Sequence, residues 1–408
     1  MNNRTVLISG GSIAGPTLAY WLARHGFSPT IVERAPQVRP GGQAVDLRGA
    51  SRSVAERMGV LDQIRSLAVH EQGMAYVDRS GRRRFEMPVE MFDGAGAVSD
   101  VEILRGDLAR ILHDAASAHT EYLFDDTITA LHQHEHGVDV CFERSPTRTF
   151  DLVVGADGLH SRIRSIAFGD ETHFLHPLGG YAAFLTIPRP EALEDWALVH
   201  SMGAGRVAMI RPDRTPGTAK ATLMFSTDAL EYDRRDLAQQ KQIVAEWFAD
   251  AGWEMPRVLD ALPDASDFYL DTLARVEIDH WSRGRITLVG DAVHCGSPLA
   301  GHGTALAMVG AYVLAGELAA TDGDHVRAFA AYQAQLRDYV TKRQQLPPGG
   351  LRAMAPRTRH GIWLRDAYGR LMTTRPMTRL ITKAMTTTED ITLRDYTQHS
   401  PAAHAPRC

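Results

Sequence analysis

Val6-Leu7-Ile8-Ser9-Gly10-Gly11-Ser12-Ile13-Ala14-Gly15 opens the chain, and a second apolar run, Thr30-Ile31-Val32, ends on Glu33. An apolar stretch, a glycine turn, a helical pattern and another apolar stretch read as strand, turn, helix, strand. That βαβ order is the unit that grips the ADP half of a dinucleotide. Gly10 permits the tight turn, and Gly15 lets the helix pack on the strand. Ser12, Ile13 and Ala14 bring helix N-terminal N–H groups toward a pyrophosphate, where the helix dipole favours negative charge. Glu33, with Arg34 beside it, lies 23 residues after Gly10, where a carboxylate can accept a ribose hydroxyl. Ser12 stands where the usual pattern has its middle glycine.

Composition narrows the class. Of the 408 residues, 44% are hydrophobic and 23% charged, ordinary proportions for a soluble globular chain. Two domains are expected at this length. A formal charge of −5 supplies no basic surface, so neither nucleic acid nor membrane is an expected partner. Cys141, Cys295 and Cys408 are too few and too scattered for a disulfide framework or a zinc site, which points to a reduced, cytoplasmic protein. The first strand begins without a leader pattern. The least polar long segment, Gly303 to Gly316, has 14 residues without a charge, too short to span a bilayer.

Beyond Glu33, a loop with Pro36, Pro40, Gly41 and Gly42 leads into Gln43-Ala44-Val45-Asp46-Leu47-Arg48. Val54, Met58, Leu61, Ile64 and Leu67 have helical spacing over 51–68. Strand-like alternation from Met74 to Met87 turns at Asp78-Arg79-Ser80-Gly81, and a helix follows Arg105. Strands are expected around 121–131 and 137–143, then from Phe150 to Val154, which enters Gly155-Ala156-Asp157-Gly158. From Thr172 to Ile278, short strands (180–187, 197–200, 206–211, 218–227) and a helix over 236–250 predict an antiparallel sheet. Ile286-Thr287-Leu288-Val289 then returns to a buried strand ending in Gly290-Asp291, followed by Pro298, Gly301, Gly303, Thr304 and an alanine-rich helix. A further helix is expected over 325–345. The expected division is 1–72, 98–171 and 279–345 for a discontinuous nucleotide domain, 73–97 and 172–278 for a substrate domain, and 346–408 for a C-terminal helical segment and tail.

Three glycine–aspartate elements therefore follow three apolar strands. Each can sit at the carboxyl edge of one sheet, where α/β folds bind ligands. A nicotinamide dinucleotide needs only the first, whereas an extended FAD uses all three.

On these residues the chain resembles the FAD-dependent aromatic hydroxylases of the para-hydroxybenzoate hydroxylase superfamily, and within it the branch of tetracycline-degrading monooxygenases. The resemblance runs from about residue 4 to 345. It rests on the first turn, Gly41 to Leu47, Arg105-Gly106-Asp107-Leu108, Asp151 to Gly158 with Ser161 and Arg164, and Gly290-Asp291-Ala292-Val293-His294 with Pro298, Gly301 and Gly303. It implies a Rossmann-like α/β FAD-binding domain of the GR2 type, an antiparallel-sheet substrate domain and a C-terminal helix. Gly10, Gly15 and Glu33 would hold the ADP moiety, and Arg105 would reach the pyrophosphate or ribityl region. Asp291, after Gly290, would meet the ribityl hydroxyls; the Asp157-Gly158 turn would serve both FAD and the nicotinamide donor. Pro298, Gly301 and Gly303 would lie beside the isoalloxazine, with the following helix from Thr304 aimed at the flavin's pyrimidine edge. Asp46 belongs to the matched Gly41–Leu47 segment and is a further cofactor candidate. His302-Gly303-Thr304 departs from the Gln-Gly-Val/Ile-Asn run common in the family.

The implied activity is an NAD(P)H- and O2-using monooxygenase that hydroxylates a bulky aromatic or polyketide-like small molecule through a flavin C4a-hydroperoxide. Antibiotic inactivation and natural-product tailoring both fit. The alternative is a non-redox cyclase using the same fold with FAD as scaffold. A plain dehydrogenase leaves Gly290-Asp291 unexplained, and no Trp-x-Trp pair supports halogenation. NADH and NADPH stay open as donors, as do monomer and homodimer. No catalytic side chain is certain; Pro298 and His294 are flavin-adjacent candidates, with a packed structural histidine as the competing reading. Cys295 reads as a buried filler, and Arg48 as a phosphate contact or a surface arginine. Arg211, at the end of a strand, is a candidate substrate contact. The methionines and aromatics of 200–230 are core or substrate lining, and Trp363 and Tyr368 are expected to pack a C-terminal helix that could also gate the site.

Overall fold

The computed structural model describes residues 3–91, 101–346, 348–374, 376–378 and 391–396. Part of the expected substrate segment, 92–97, and much of the tail, with Cys408, lie outside the described residues.

Thr5–Ser9 is buried over four of its five residues and forms a central strand. It pairs in parallel with Ser28–Glu33 on one side and Leu152–Gly155 on the other. The full sheet runs Ser282–Arg283, Ile286–Leu288, Leu152–Gly155, Thr5–Ser9, Ser28–Glu33, Glu121–Phe124, parallel except for the first, antiparallel strand. Buried on both faces, these strands are Val/Ile/Leu runs without alternation. The register aligns Val32, Ser9, Gly155 and Leu288 in one row across four strands. The glycine turns that follow these strands consequently leave the sheet at one edge.

Helix Ala14–Arg24 packs against Arg105–Ser117 and Gly303–Ala320. Gly303–Ala320 is apolar on every side because it is a core helix. At 18 residues it is longer than the charge-free stretch that suggested it, and long and apolar enough to cross a membrane, yet 83% of it is buried inside the fold.

A seven-stranded sheet forms the second layer, in the order Tyr269–Val276, Leu175–Pro188, Thr218–Phe225, Arg206–Pro212, Trp196–Gly203, Gly73–Val77, Arg83–Pro88. Its pairings are antiparallel except that Gly73–Val77 joins Trp196–Gly203 in parallel, since this hairpin arrives from a distant part of the chain. One face packs Phe225, Leu223 and Leu185 under helices Leu237–Phe248 and Met255–Ala261. Each such buried side chain contributes about 1.5–3 kcal/mol. The opposite face carries Ala182, Val199, Val207, Met224 and Leu273 and meets Leu299, just beyond Gly290-Asp291. The methionines and aromatics of 200–230 thus divide between the faces: Phe225 in the helix-covered core, Met209 and Met224 on the other side.

Three local expectations change. The pattern over 51–68 is two helices, Ala50–Arg57 and Leu61–Ser66, because Gly59 takes φ +75° and breaks the run. The strand around 121–131 is interrupted at Asp125, which also has positive φ. Trp363 and Tyr368 sit on helix Arg359–Met372 but are 65% and 60% exposed, so they do not pack it. The packed side uses Gly369, where a Cβ would come within 2.5 Å of the Phe85 ring, and Arg365, whose guanidinium lies 4.5 Å from the Tyr76 ring centroid.

Candidate active site

The first turn is built as its residues require. Gly10 has φ +110°, and a Cβ there would stand 2.4 Å from the Ala156 carbonyl oxygen. A Cβ on Gly15 would lie 1.9 Å from the Gly10 oxygen, so the helix rests directly on the turn. Ile13 caps that helix without any side-chain hydrogen bond, which leaves the N–H groups after Ser12 for a ligand. Ser12 is half-buried, and its small side chain is accommodated where a glycine was expected. Glu33 accepts from the Gly11 N–H at 2.8 Å and the Ala35 N–H at 2.9 Å, while Arg34 is exposed beside it.

The other two turns close on the first. Asp157 accepts from Ser9 Oγ (3.3 Å), Ser161 Oγ, and the Arg162 and Ile163 N–H groups (2.9 and 3.1 Å). Burial pushes its carboxyl pKa up against those bonds. The carboxylate therefore braces the Gly158 turn (φ +84°) onto helix Arg162–Phe168. Arg164, fully buried, donates to Leu159 O (2.6 Å) and Ala292 O (2.8 Å) and so ties the second motif to the third. A Cβ on Gly290 would meet Ala14 at 3.2 Å and Ala307 at 3.7 Å, which places the third turn between two helix N-termini. Asp291 is 3.7 Å from where a Gly303 Cβ would stand, and burial also raises its pKa.

Arg105 is open to water along this groove yet ringed by protein. Burial and Arg39 lower its pKa, while Tyr269, Asp291 and Glu33 oppose them; its guanidinium thus lies among groups from both large sheets. Gly42 makes room for it, since a Cβ there would approach Arg105 Nε to 3.2 Å. Pro298, Gly301 and Gly303 form an exposed rim, and Thr304 is buried behind it. Within that rim Ser297 holds φ +70°, a strained value for a residue with a side chain.

His294 takes the packed structural reading, while Arg211 and Asp46 have surroundings different from those expected. His294 is 1% exposed, edge-on to Trp281 at 5.5 Å, and burial drives its pKa down to about 3. A permanently neutral ring with neither nitrogen hydrogen-bonded among the described residues is a packed core group, and proton shuttling does not fit it. Arg211 is paired with Glu71 at 2.7 Å and with Glu102, and is buried with them. Asp46 joins the same cluster, hydrogen-bonded to Glu102 and 3.0 Å from Arg48. The Arg211 and Asp46 contacts thus hold the ribbon of Ala44–Asp46 and Glu102–Leu104 onto the seven-stranded sheet. Arg48 is engaged in that cluster as well.

Motif reading gave no role to several residues that line the site, although Gln43 lies within the matched Gly41–Leu47 segment. Tyr269 is 50% exposed and stacks on Phe184 at 6.4 Å. Gln43 meets Thr222 at 3.3 Å. His160 sits 2.9 Å from both Glu171 and Asp271. Its position two residues past Asp157-Gly158 was a usable signal, as was the place of Gln43 in the Gly41–Leu47 segment; for Tyr269 none existed.

Three glycine turns, an uncapped helix N-terminus beside an acid-ended strand, and an arginine in the groove between fit a dinucleotide with an extended tail. Fold and site together define a two-sheet flavoprotein. Residues 3–347 match the profile of the FAD binding domain family, and the chain belongs to that family. It is 41% identical over 372 residues to an uncharacterised protein of Mycobacterium tuberculosis, covering 89% of this chain and all of that one. It is 38% identical over 366 residues to a flavin-dependent monooxygenase of Legionella longbeachae, covering 90% of each. Among solved structures, the tetracycline destructase Tet(51) superposes with a TM-score of 0.79 at 32% identity, over 97% of this chain and 100% of that one. The protein is a flavin-dependent monooxygenase that binds FAD.

Proposed function

We propose that this chain takes electrons from NADPH or NADH and uses O2 to hydroxylate a bulky aromatic or polyketide-like small molecule. The observation that carries the reading is the facing of two surfaces: three glycine turns at one sheet edge, and a half-apolar sheet face that meets them at Leu299. The likeness to tetracycline destructases supports that substrate class.

Bound FAD would supply hydride acceptance and oxygen activation, chemistry that belongs to the cofactor. Ser12, Ile13, Ala14 and Gly15 would receive the pyrophosphate on backbone N–H groups, Gly10 would let it approach the turn, and Glu33 would take the ribose. Arg105 would neutralise phosphate charge, and Asp291 would orient the ribityl chain. The first turn of helix Gly303–Ala320, which has no side-chain cap, would stabilise negative charge at the flavin's pyrimidine edge. The seven-stranded sheet would hold substrate and exclude water from the oxygen-bearing side.

Anaerobic stopped-flow reduction by NADPH and by NADH, with and without a panel of polycyclic phenols including a tetracycline, tests this. Ligand-accelerated bleaching of the flavin band supports gated hydroxylation. A flavin that neither donor bleaches with any ligand favours the non-redox cyclase.

A further inference from the structure

Helix Arg359–Met372 reverses the usual order of a surface helix: a charged pair faces the fold and apolar side chains face solvent. On the inner side Arg365 and Asp366 are joined at 2.6 Å, and Asp366 is also 3.6 Å from Arg84. At about 3.6 residues per turn, Trp363, Leu364, Ala367, Tyr368 and Leu371 fall together on the outer side. All of them except Ala367 are more than half exposed. Single exposed apolar residues need no explanation, but four on one face form a patch. The helix that carries them is properly begun, with Thr358 Oγ1 accepting from the Gly361 N–H at 3.1 Å.

Arginines border this stripe. Arg359 and Arg370, three turns apart and both exposed, share one margin, and Arg357 stands exposed just before the helix. Arg370 donates to Arg84 O at 3.0 Å, which sets it beside the hairpin whose turn exposes Arg79 and Arg82. Arg357 donates to Ser226 Oγ at 3.3 Å. Among the described residues no carboxylate pairs with Arg357, Arg359 or Arg370. The acids of this region are engaged elsewhere: Asp366 as above, Asp78 by Arg82 and Arg84, and Glu86 by Arg83. Asp228 and Glu90 are exposed and form no ion pair with these arginines among the described residues. The whole chain carries −5, yet this margin is positive.

We propose that helix Arg359–Met372 seats the enzyme on an anionic lipid surface, with the stripe in the headgroup boundary and Arg357, Arg359 and Arg370 on lipid phosphates. Trp363 and Tyr368 suit that boundary, because each presents an apolar ring and a polar tip. Area favours a bilayer over a second copy of the chain. Fourteen helical residues give a stripe about 21 Å long and about 10 Å wide. That is about 200 Å², against the roughly 800 Å² per partner of a stable protein interface. A lipid boundary needs no matched partner surface, since apolar burial and phosphate attraction act along one helix. The proposal stands apart from the redox reading and extends it. The helix lies on Tyr76 and Phe85, so docking brings that edge of the seven-stranded sheet to the lipid.

Co-sedimentation of the full-length, FAD-loaded protein with vesicles tests this, using phosphatidylcholine alone or mixed with phosphatidylglycerol. Binding is expected to be at least about tenfold stronger to the anionic vesicles and to weaken with added salt. Trp363→Ser combined with Leu364→Ser is expected to lower it at least about tenfold. Leu237→Ser, at an exposed leucine on another helix, should leave it unchanged. Arg359→Gln should weaken binding to the anionic vesicles alone. All these side chains are exposed, and an unchanged flavin spectrum and melting temperature show that each variant keeps its fold. No binding by the natural protein, equal binding to both vesicles, or equal binding by the double variant overturns the proposal. So does a dimer, seen by sedimentation velocity without lipid, that the double variant cannot form, because the stripe then belongs to a second copy.

Discussion

Gly15 and Gly158 belong to adjacent motifs but are held by different forces. A methyl on Gly15 would drive into the Gly10 oxygen at 1.9 Å, and the turn would have to open. Gly158→Ala meets nothing within 4 Å and carries only the strain of φ +84°. Gly15→Ala is expected to cost about 1–3 kcal/mol and to release FAD; Gly158→Ala should cost about 1 kcal/mol. Thermal melting with flavin absorbance of the desalted protein separates them, and equal losses would refute the steric account. At Glu33 the carboxylate already bonds the Gly11 N–H, so Glu33→Ala loosens the turn as well as the ribose contact. FAD affinity is expected to fall about tenfold, the equivalent of one charge-assisted hydrogen bond; an unchanged dissociation constant by fluorescence titration would remove Glu33 from the site.

The ribbon of Ala44–Asp46 and Glu102–Leu104 shows how a charged cluster can be structural. Burial pushes the Glu102 carboxyl up to about 9, despite Arg211, with Asp46 and Glu71 acting in the same direction. At neutral pH Glu102 therefore keeps its proton. Its raised pKa means that the folded form holds a proton the unfolded chain releases, so stability falls as pH climbs from about 4.5 to about 9. Glu102→Gln mimics the protonated acid and is expected to flatten that decline while leaving the melt at low pH unchanged. Arg211→Met leaves Glu71 buried without its partner and should cost about 3–5 kcal/mol. Chemical denaturation at pH 6 and pH 8.5 checks both; a Glu102→Gln protein as pH-sensitive as the natural one would show that Glu102 is not the group responsible.

His160 joins the two large layers. It leaves the Asp157-Gly158 turn of the parallel sheet and reaches Asp271 on the seven-stranded one, with Glu171 on its other nitrogen. Arg234 and Arg164 also face Glu171, at 3.4 and 3.5 Å. Burial opposes charge on the ring, but the bonds to Asp271 and Glu171 outweigh it and lift the pKa from 6.5 to about 9. A raised histidine pKa contributes stability that is complete below about pH 6.5 and is lost as pH rises through about 9. His160→Gln should therefore lower the melting temperature at pH 6 and leave it little changed at pH 9.5. A constant difference across that range would mean the imidazole acts by packing alone.

Periodicity and glycine placement carried the parallel sheet, because its strands are buried runs and each turn demands a residue without a Cβ. Gly10, Gly15 and Gly290 were legible because each lies in or just after the turn that directly follows an apolar strand, although the atoms that exclude a Cβ at Gly10 and Gly290 come from Ala156, Ala14 and Ala307, distant in the chain. Gly59, which divides one helical pattern into two, shows that even this local reading depends on which glycines adopt positive φ. Side-chain partners across the fold were not legible. Arg211 and Asp46 had the residue types of ligand contacts, yet 3D proximity to Glu102 made them parts of one buried cluster. His294 stood beside a flavin motif in sequence, but its ring turned into the core against Trp281. Tyr269 and Phe184 had no motif at all, and only strand register puts them side by side on one face. The cofactor's cradle is thus written in consecutive residues, whereas the substrate's surroundings come from strands far apart in the chain, whose pairing is decided by the packing of the whole sheet.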